Sequence, residues 1–329
     1  MLPEEPAILE VRHAVRAWIA AHAPGSELVV ALSGGPDSLA LTAAAAAEAD
    51  TVHALVVDHR LQDGSDRVAD AAATHAVALG CASATVLAVD VSGRGGMEAA
   101  ARSARYSALD GARRGLPVLL GHTLDDQAET VLLGLARGSG GRSIWGMSSF
   151  DSPWGRPLLG VRRAVTHQAC TELGIEPHED PHNSSPDFAR VRLRTEVLPM
   201  LEDVLSGGVA GALSRTAAQL REDGAVLDTI AAHVALRVVV DNEVLITEID
   251  GEQAPIRRRV LRSWLQEQGA KGLTDLQLRA VDDLIGRWRG QGGVAVGGGT
   301  PNARLVVRRR RGRLSIGLEG TGPDEERRV

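Results

Sequence analysis

The chain has 329 residues, 44% hydrophobic and 24% charged, with a formal net charge of −6. At about 100–200 residues per domain this predicts two domains of ordinary soluble composition. Cys81 and Cys170 stand far apart with no CxxC, which excludes a disulfide framework, a zinc ribbon and an iron–sulfur motif.

Residues 1–24 hold one helix, with Ile8, Val11, Val15, Trp18 and Ile19 on one stripe, and Pro24-Gly25 ends it. Four apolar runs then alternate with helical stretches. The runs are Glu27–Leu32, Thr51–Val57, Ala84–Val91 and Pro117–Gly121, and the helices span about 37–49, 63–79, 97–114 and 124–136. This alternation is the mark of parallel βαβ units, so the fold class is α/β, a doubly wound parallel sheet covered on both faces. After Arg137 the glycine-rich RGSGGRSIWGM reads as a mobile loop. A helix is expected near 165–174, then the polar HEDPHNSSPDF, then a helix striped by Phe188, Val191, Thr195 and Leu198. Gly207-Gly208 suggests a hinge. Helices near 210–236, 253–268 and 275–289 and strands near 293–296, 304–309 and 313–317 make a helical linker and a small α+β C-terminal domain. The expected domains are therefore 1–206 and 207–318, with a disordered tail at 319–329.

No run of 18 apolar residues occurs, and the opening MLPEEPAILE lacks the layout of a signal peptide. A cytoplasmic protein without a membrane partner is expected. Residues 1–200 carry 17 arginines against 24 acids, and residues 201–329 carry 19 basic residues against 18 acids. This skew hints at an anionic partner for the C-terminal part. Lys271 is the one lysine beside 35 arginines, an excess spread along the whole chain and read as compositional bias.

The most informative stretch is Ser33-Gly34-Gly35-Pro36-Asp37-Ser38, where the first strand ends and a helix begins. Two glycines permit positive φ, Pro36 suits a helix start, and exposed N–H groups with the Ser33 and Ser38 hydroxyls form an anion cradle. It is neither a Walker A loop nor GxGxxG. A carboxylate beside phosphate repels it, and Mg²⁺ joining Asp37 to phosphate oxygens resolves the conflict. The alternative is a tight βα turn with Asp37 as a helix cap. The pattern SGGxDS resembles the PP-loop of ATP pyrophosphatases.

A second constellation, Gly121-His122-Thr123-Leu124-Asp125-Asp126-Gln127-Ala128-Glu129-Thr130, follows the fourth strand. Ligands of doubly wound sheets bind outside the carboxyl ends of strands, so both turns face one crevice. Asp126 and Glu129 share a helix face and suit Mg²⁺ or an amine, whereas Asp125 reads as a complement to the helix dipole.

In order along the chain, SGGPDS, VVDHRL, GGMEAAARSARYSAL, GHTLDDQAETVLLGLARGSGGRSIWGM, GRPLL and the Asn183…Phe188…Arg190…Arg192…Arg194 segment resemble the tRNA(Ile)-lysidine synthetase family over about residues 28–200. The family usually has His-His where this chain has His122-Thr123, and Arg-Asn-Arg where it has Arg190-Val191-Arg192. The resemblance implies a PP-loop nucleotide-binding fold of the adenine nucleotide alpha hydrolase type. It also implies ATP-dependent ligation of free lysine to C2 of the wobble cytidine of tRNA(Ile) with a CAU anticodon, through an adenylated intermediate. In this reading Asp37, Arg102, Asp126 and Glu129 are catalytic. Ser33, Gly34, Gly35, Pro36, Asp37, Ser38, Asp58, Arg102 and His122 bind ATP, and Asp37 and Asp126 hold Mg²⁺. Asp126 and Glu129 receive the lysine ammonium. Arg190, Arg192, Arg194, Arg308, Arg309, Arg310 and Arg311 face tRNA, with Arg257–Arg259 and Arg262 as a second basic cluster and Trp264 and Trp288 as stacking or core residues. A homodimer is left open. The rivals are a PP-loop tRNA thiolase or another adenylating tRNA-modifying enzyme, and a nucleotide sensor without chemistry.

Overall fold

The computed structural model describes residues 2–25, 27–62, 64–91, 96–138, 140–178 and 188–320. Asn183 and the expected tail beyond Gly320 lie outside the described residues, while Leu318–Gly320 close the last strand. Two compact units are formed, one from residues 1–133 and 146–217, the other from 134–145 and 218–329.

In the first unit the order is α1 (Pro6–His22), β1 (Glu27–Leu32), α2 (Pro36–Glu48), β2 (Thr51–Asp58), α3 (Ser65–Ala78), β3 (Ser83–Ala88), α4 (Met97–Ala112), β4 (Val118–Leu119) and α5 (Leu124–Arg137). The hairpin β5 (Phe150–Asp151) and β6 (Trp154–Gly155), α6 (Arg163–Glu172), α7 (Ala189–Arg192), a π-helical stretch (Leu193–Val197) and α8 (Leu198–Val204) follow. The strands line up as β3-β2-β1-β4-β6-β5, parallel except at the β5–β6 edge.

Both faces of β1 and β2 are buried, which is why these strands read as continuous apolar runs. Leu28, Val30, Val52, Ala54 and Val56 pack with α1, α2 and α6, while Val29 and Leu55 pack with Leu109 and Tyr106 of α4. Aromatic residues are scarce, so alanines do the filling. Ala40, Ala43, Ala44 and Ala45 of α2 are fully buried and let the helices approach closely. The five striped residues of α1 are all buried.

The long helix α9 (Val209–Val238) begins in the first unit, capped at its start by Glu202, whose carboxylate accepts the N–H groups of Val209 and Ala210 at 2.9 and 3.1 Å. Gly207 and Gly208, both at positive φ, make the preceding turn. The second unit adds β7 (Val239–Val240), β8 (Glu243–Leu245), α10 (Ile246–Ile249), α11 (Ala254–Glu267), α12 (Asp275–Gly286), β9 (Val294–Thr300), β10 (Ala303–Arg310) and β11 (Arg313–Gly320). Its antiparallel sheet runs β7-β8-β11-β10-β9. The segment expected to be a mobile loop contains a 3₁₀ turn at Gly141–Ile144. It is anchored within this unit by Arg142, which pairs with Asp228 at 2.6 Å and lies 5.0 Å from the Trp145 ring. Among the described residues no single helix is long and apolar enough to cross a membrane.

Candidate active site

The glycine turn sits where β1 hands over to α2. Gly34 has φ +84°, which a side chain rarely adopts, and its carbonyl accepts the His178 N–H at 3.0 Å. Pro36 opens the helix and Asp37 lies in its first turn. The two serines bind each other: their hydroxyls are 3.1 Å apart, and Ser38 also donates to the Gly35 carbonyl at 2.9 Å and accepts the Ser33 N–H at 3.2 Å. Their main work is thus to hold the turn's shape.

The second turn presses directly on the first. A side chain on Gly121 would place its Cβ 3.1 Å from the Asp37 carbonyl and the Ser38 nitrogen. Beyond it, Thr123 precedes α5, and both its N–H and its hydroxyl donate to Asp126 Oδ2 at 2.8 Å. Here the departure from His-His has a physical role, since the buried threonine fixes the carboxylate. Val191, the other departure, packs into the interior.

The two turns bring Asp37, Asp126 and Glu129 around one side chain that the sequence did not single out, Arg163 on α6. Its Nη2 lies 2.6 Å from Asp126 Oδ1, its Nε 3.3 Å from Asp37 Oδ2 and its Nη1 3.4 Å from Glu129 Oε1. Thr166, one turn further on, donates to Asp37 Oδ1. Glu129 is fully buried and also receives Arg194 Nε at 2.9 Å, with Arg190 at 4.0 Å. Arg194 rides on the π-helical stretch, a local widening of the helix often seen where side chains must be re-aimed. Arg192 points elsewhere, pairing on the exposed surface with Glu196. Asp125 does not enter the triad. It accepts the Arg163 N–H at 2.8 Å and pairs with Arg162 at 3.0 Å, so it caps α6 rather than only complementing its own helix.

Burial pushes the Asp37 carboxyl above the usual carboxylate range, with the neighbouring Asp126 adding to it and Arg163 opposing. For Asp126, burial is more than offset by Arg163 and the Thr123 bonds, and its carboxyl is held below that range. Burial also works against the Arg163 charge, but Asp126, Asp37 and Glu129 together keep that guanidinium more firmly protonated than a free arginine. A cleft beside the triad is lined by Asp125, Arg162, Arg194, Leu198, Pro199 and Glu202.

Across the strand ends lies a second sector, which is cationic. Arg102 and Arg105 of α4 flank the Tyr106 ring at 4.9 and 5.3 Å, and Arg102 donates to its hydroxyl at 3.3 Å. Among the described residues, His59, Arg105, His122 and Arg156 each keep one buried side-chain nitrogen without a protein partner. Burial pushes His122 down to about 4, although Asp126 favours its charged form. Asp58 is buried and spends one oxygen on the Arg60 N–H at 2.9 Å, which starts the following loop.

In the second unit the basic clusters divide. Arg257 and Arg258 both pair with Asp282, and Arg259 pairs with Asp228. Arg308 pairs with Glu319. Arg309 lies 4.7 Å from the Trp288 ring and donates to the Leu284 and Ile285 carbonyls at the end of α12. Arg310 and Arg311 are exposed. Trp264 is a core residue, fully buried with its indole N–H on the Asn242 carbonyl at 2.9 Å.

A sheet of this order with a glycine turn after its first strand is the architecture of a PP-loop domain, and the family model described as a PP-loop domain matches residues 9–201. A second model, the TilS substrate binding domain, matches residues 246–315. The chain is 74% identical over 329 residues to the tRNA(Ile)-lysidine synthase of Rhodococcus opacus, covering 100% of both. It is 56% identical over 318 residues to that of Mycolicibacterium paratuberculosis, covering 96% of this chain and 99% of the relative. The chain belongs to the tRNA(Ile)-lysidine synthase family, ATP-using ligases that modify tRNA. Among solved structures, the U34-tRNA thiolase NcsA from Methanococcus maripaludis superposes with a TM-score of 0.55 at 17% identity, covering 66% of this chain and 80% of that one. That likeness is one of fold. Cys81 and Cys170 are both buried, and burial pushes each thiol up to about 11, away from the reactive thiolate.

Proposed function

We propose that this chain joins free L-lysine to C2 of the wobble cytidine of tRNA(Ile) bearing a CAU anticodon, in two steps that release pyrophosphate and AMP. The observation that carries this reading is the gathering of Asp37, Asp126 and Glu129 around one cationic group beside the glycine turn. Two carboxylates converging on a cation from the phosphate side suit Mg²⁺, and a third deeper in suits an ammonium. Among the described residues no three His, Cys, Asp or Glu side chains form a metal cage. Asp37 and Asp126 would hold the ion, which when bound would offset the charge of the leaving pyrophosphate.

In this reading the Ser33–Ser38 turn, Gly34 and Gly35 foremost, cradles the phosphates through its backbone N–H groups. Arg102 and His122 face the phosphates from the cationic sector, and Asp58 faces the ribose. Adenylation turns the C2 oxygen into a leaving group, splitting one hard step into two. The lysine ε-ammonium docks on Asp126 and Glu129, and a carboxylate accepts its proton as the free amine attacks. Arg190, Arg192, Arg310 and Arg311 follow the tRNA backbone, where arginine forks suit phosphate, while Arg194, Arg308 and Arg309, expected there from the sequence too, are engaged by Glu129, Glu319 and the Trp288 face. The reaction belongs in the cytoplasm, with its three substrates, and a homodimer is checked by light scattering. The test incubates the full chain with α-labelled ATP, labelled lysine and tRNA. Lysine incorporation that depends on cytidine at the wobble position supports the reading, and ATP binding without incorporation overturns it in favour of a nucleotide sensor.

A further inference from the structure

All six carboxylate oxygens of the acid triad already have protein donors. Asp37 is bound by Thr166 and Arg163, Asp126 by Arg163 and Thr123, and Glu129 by Arg163 and Arg194, whose Nη2 meets Oε2 at 3.4 Å. Among the described residues Arg163 alone reaches all three acids, with a different nitrogen on each. It is itself largely shielded, with a side chain 16% exposed, and α6 is fixed beneath it by the Asp125 cap. Its Nε and Nη2 take Asp37 Oδ2 and Asp126 Oδ1, one oxygen from each of the carboxylates assigned above to the metal.

We propose that Arg163 is the built-in counter-cation of the triad, and that Asp37 and Asp126 accept a divalent metal only in exchange for its guanidinium. Mg²⁺ binds carboxylate oxygens at about 2.0–2.1 Å, which leaves no room for an N–H between ion and oxygen. The exchange replaces one positive charge by two between Asp37 and Asp126, so it is favoured once the ion arrives with the negative charge of nucleotide phosphate. The freed guanidinium then becomes a bidentate phosphate ligand. Arg163 thereby keeps three mutually repelling acids assembled and holds down the metal affinity of the nucleotide-free protein. This rests on the reading above for the metal alone and is independent of the lysine chemistry.

The test uses Mn²⁺ on the full chain without nucleotide, counting free ion by electron paramagnetic resonance, alongside thermal unfolding in chelator. Arg163→Met is expected to bind Mn²⁺ at least about tenfold more tightly than the parent, to unfold at a lower temperature in chelator, and to recover that loss when Mn²⁺ is added. Equal or weaker Mn²⁺ binding by the variant overturns the proposal and leaves Arg163 as a structural tie. If Arg163→Met does not fold, Arg163→Lys keeps one charge but cannot span three acids. It should tighten Mn²⁺ binding to a lesser degree, and unchanged binding overturns the proposal equally. Loss of lysine incorporation with the Mn²⁺ result intact would strike only the reading of the reaction.

Discussion

Asp125 accepts the backbone N–H of Arg163 at 2.8 Å, while its neighbour Asp126 holds the same residue's guanidinium at 2.6 Å. Two adjacent acids on one helix thus secure one arginine twice, by main chain and by side chain. Asp125→Ala removes the cap of α6 and the Arg162 pair. The expected loss is about 1–2 kcal/mol of stability, measured by urea unfolding, and Asp125→Asn should restore most of it as an alternative cap. Restoration by neither Asn nor Ser would remove the capping role.

Glu129→Gln leaves Arg163 and Arg194 without one of their buried counter-charges. Removing one partner of a buried pair costs about 3–5 kcal/mol, so the melting temperature should fall clearly. In steady-state kinetics the KM for lysine should rise about tenfold or more, equivalent to about 1.4 kcal/mol, with a smaller change for ATP. Equal effects on both substrates would argue against an amine pocket.

Asp37→Ala should lower pyrophosphate release at least about a hundredfold, the scale of losing one charge-stabilising group at a reacting phosphate. The readout is a coupled pyrophosphate assay with tRNA present. Unchanged release removes Asp37 from the adenylation step.

His122 is held neutral by burial, with its pKa displaced from 6.5 to about 4. The unfolded chain therefore binds a proton that the folded chain refuses, and stability should fall as pH drops from about 6.5 towards 4. At about 1.4 kcal/mol per pH unit the loss from this one group is at most about 3 kcal/mol. His122→Asn should flatten the slope in that window, as followed by denaturant unfolding at several pH values.

The Arg308–Arg311 run should separate into two behaviours. Alanine at Arg310 and Arg311 should weaken tRNA binding and reduce the salt slope by about one per residue, without changing the melting temperature. Arg309→Ala, which gives up the Trp288 face and two helix-end carbonyls, should lower the melting temperature instead. Filter binding across a salt series and calorimetry distinguish the two.

Much of this is legible in the sequence. The four βα repeats and both strand-end turns follow from apolar runs and glycine placement, and Asp37, Asp126 and Glu129 stand in one place as their positions suggest. The hairpins β5–β6 and β7–β8 and the short α10 were not read, because strands of two or three residues carry no period. Arg163 was not singled out for a different reason. Nothing in GRPLLGVRRAV distinguishes it from Arg162, and only folding across more than 120 positions from Asp37 separates a surface arginine from one at the centre of three acids. The one available signal was charge: three clustered acids demand a cation. The roles of Arg308–Arg310 are not legible because a run of like residues along a strand alternates between faces and packing decides which side is wet, while Arg311 falls in the turn beyond it.

Gly121 has a consequence for how the site can change. With no side chain there, the backbone after β4 lies in contact with the first turn of α2. A Cβ there would be tight against that turn, so the adjoining main chain would have to give by a few tenths of an ångström. The distance between the glycine turn and the acids of α5 is therefore set like a fixed gauge, by main chain against main chain. Side-chain substitutions can retune affinity on either side of it, but a nucleophile of different reach would have to be accommodated on the α6 and π-helical side, where the walls are made of side chains.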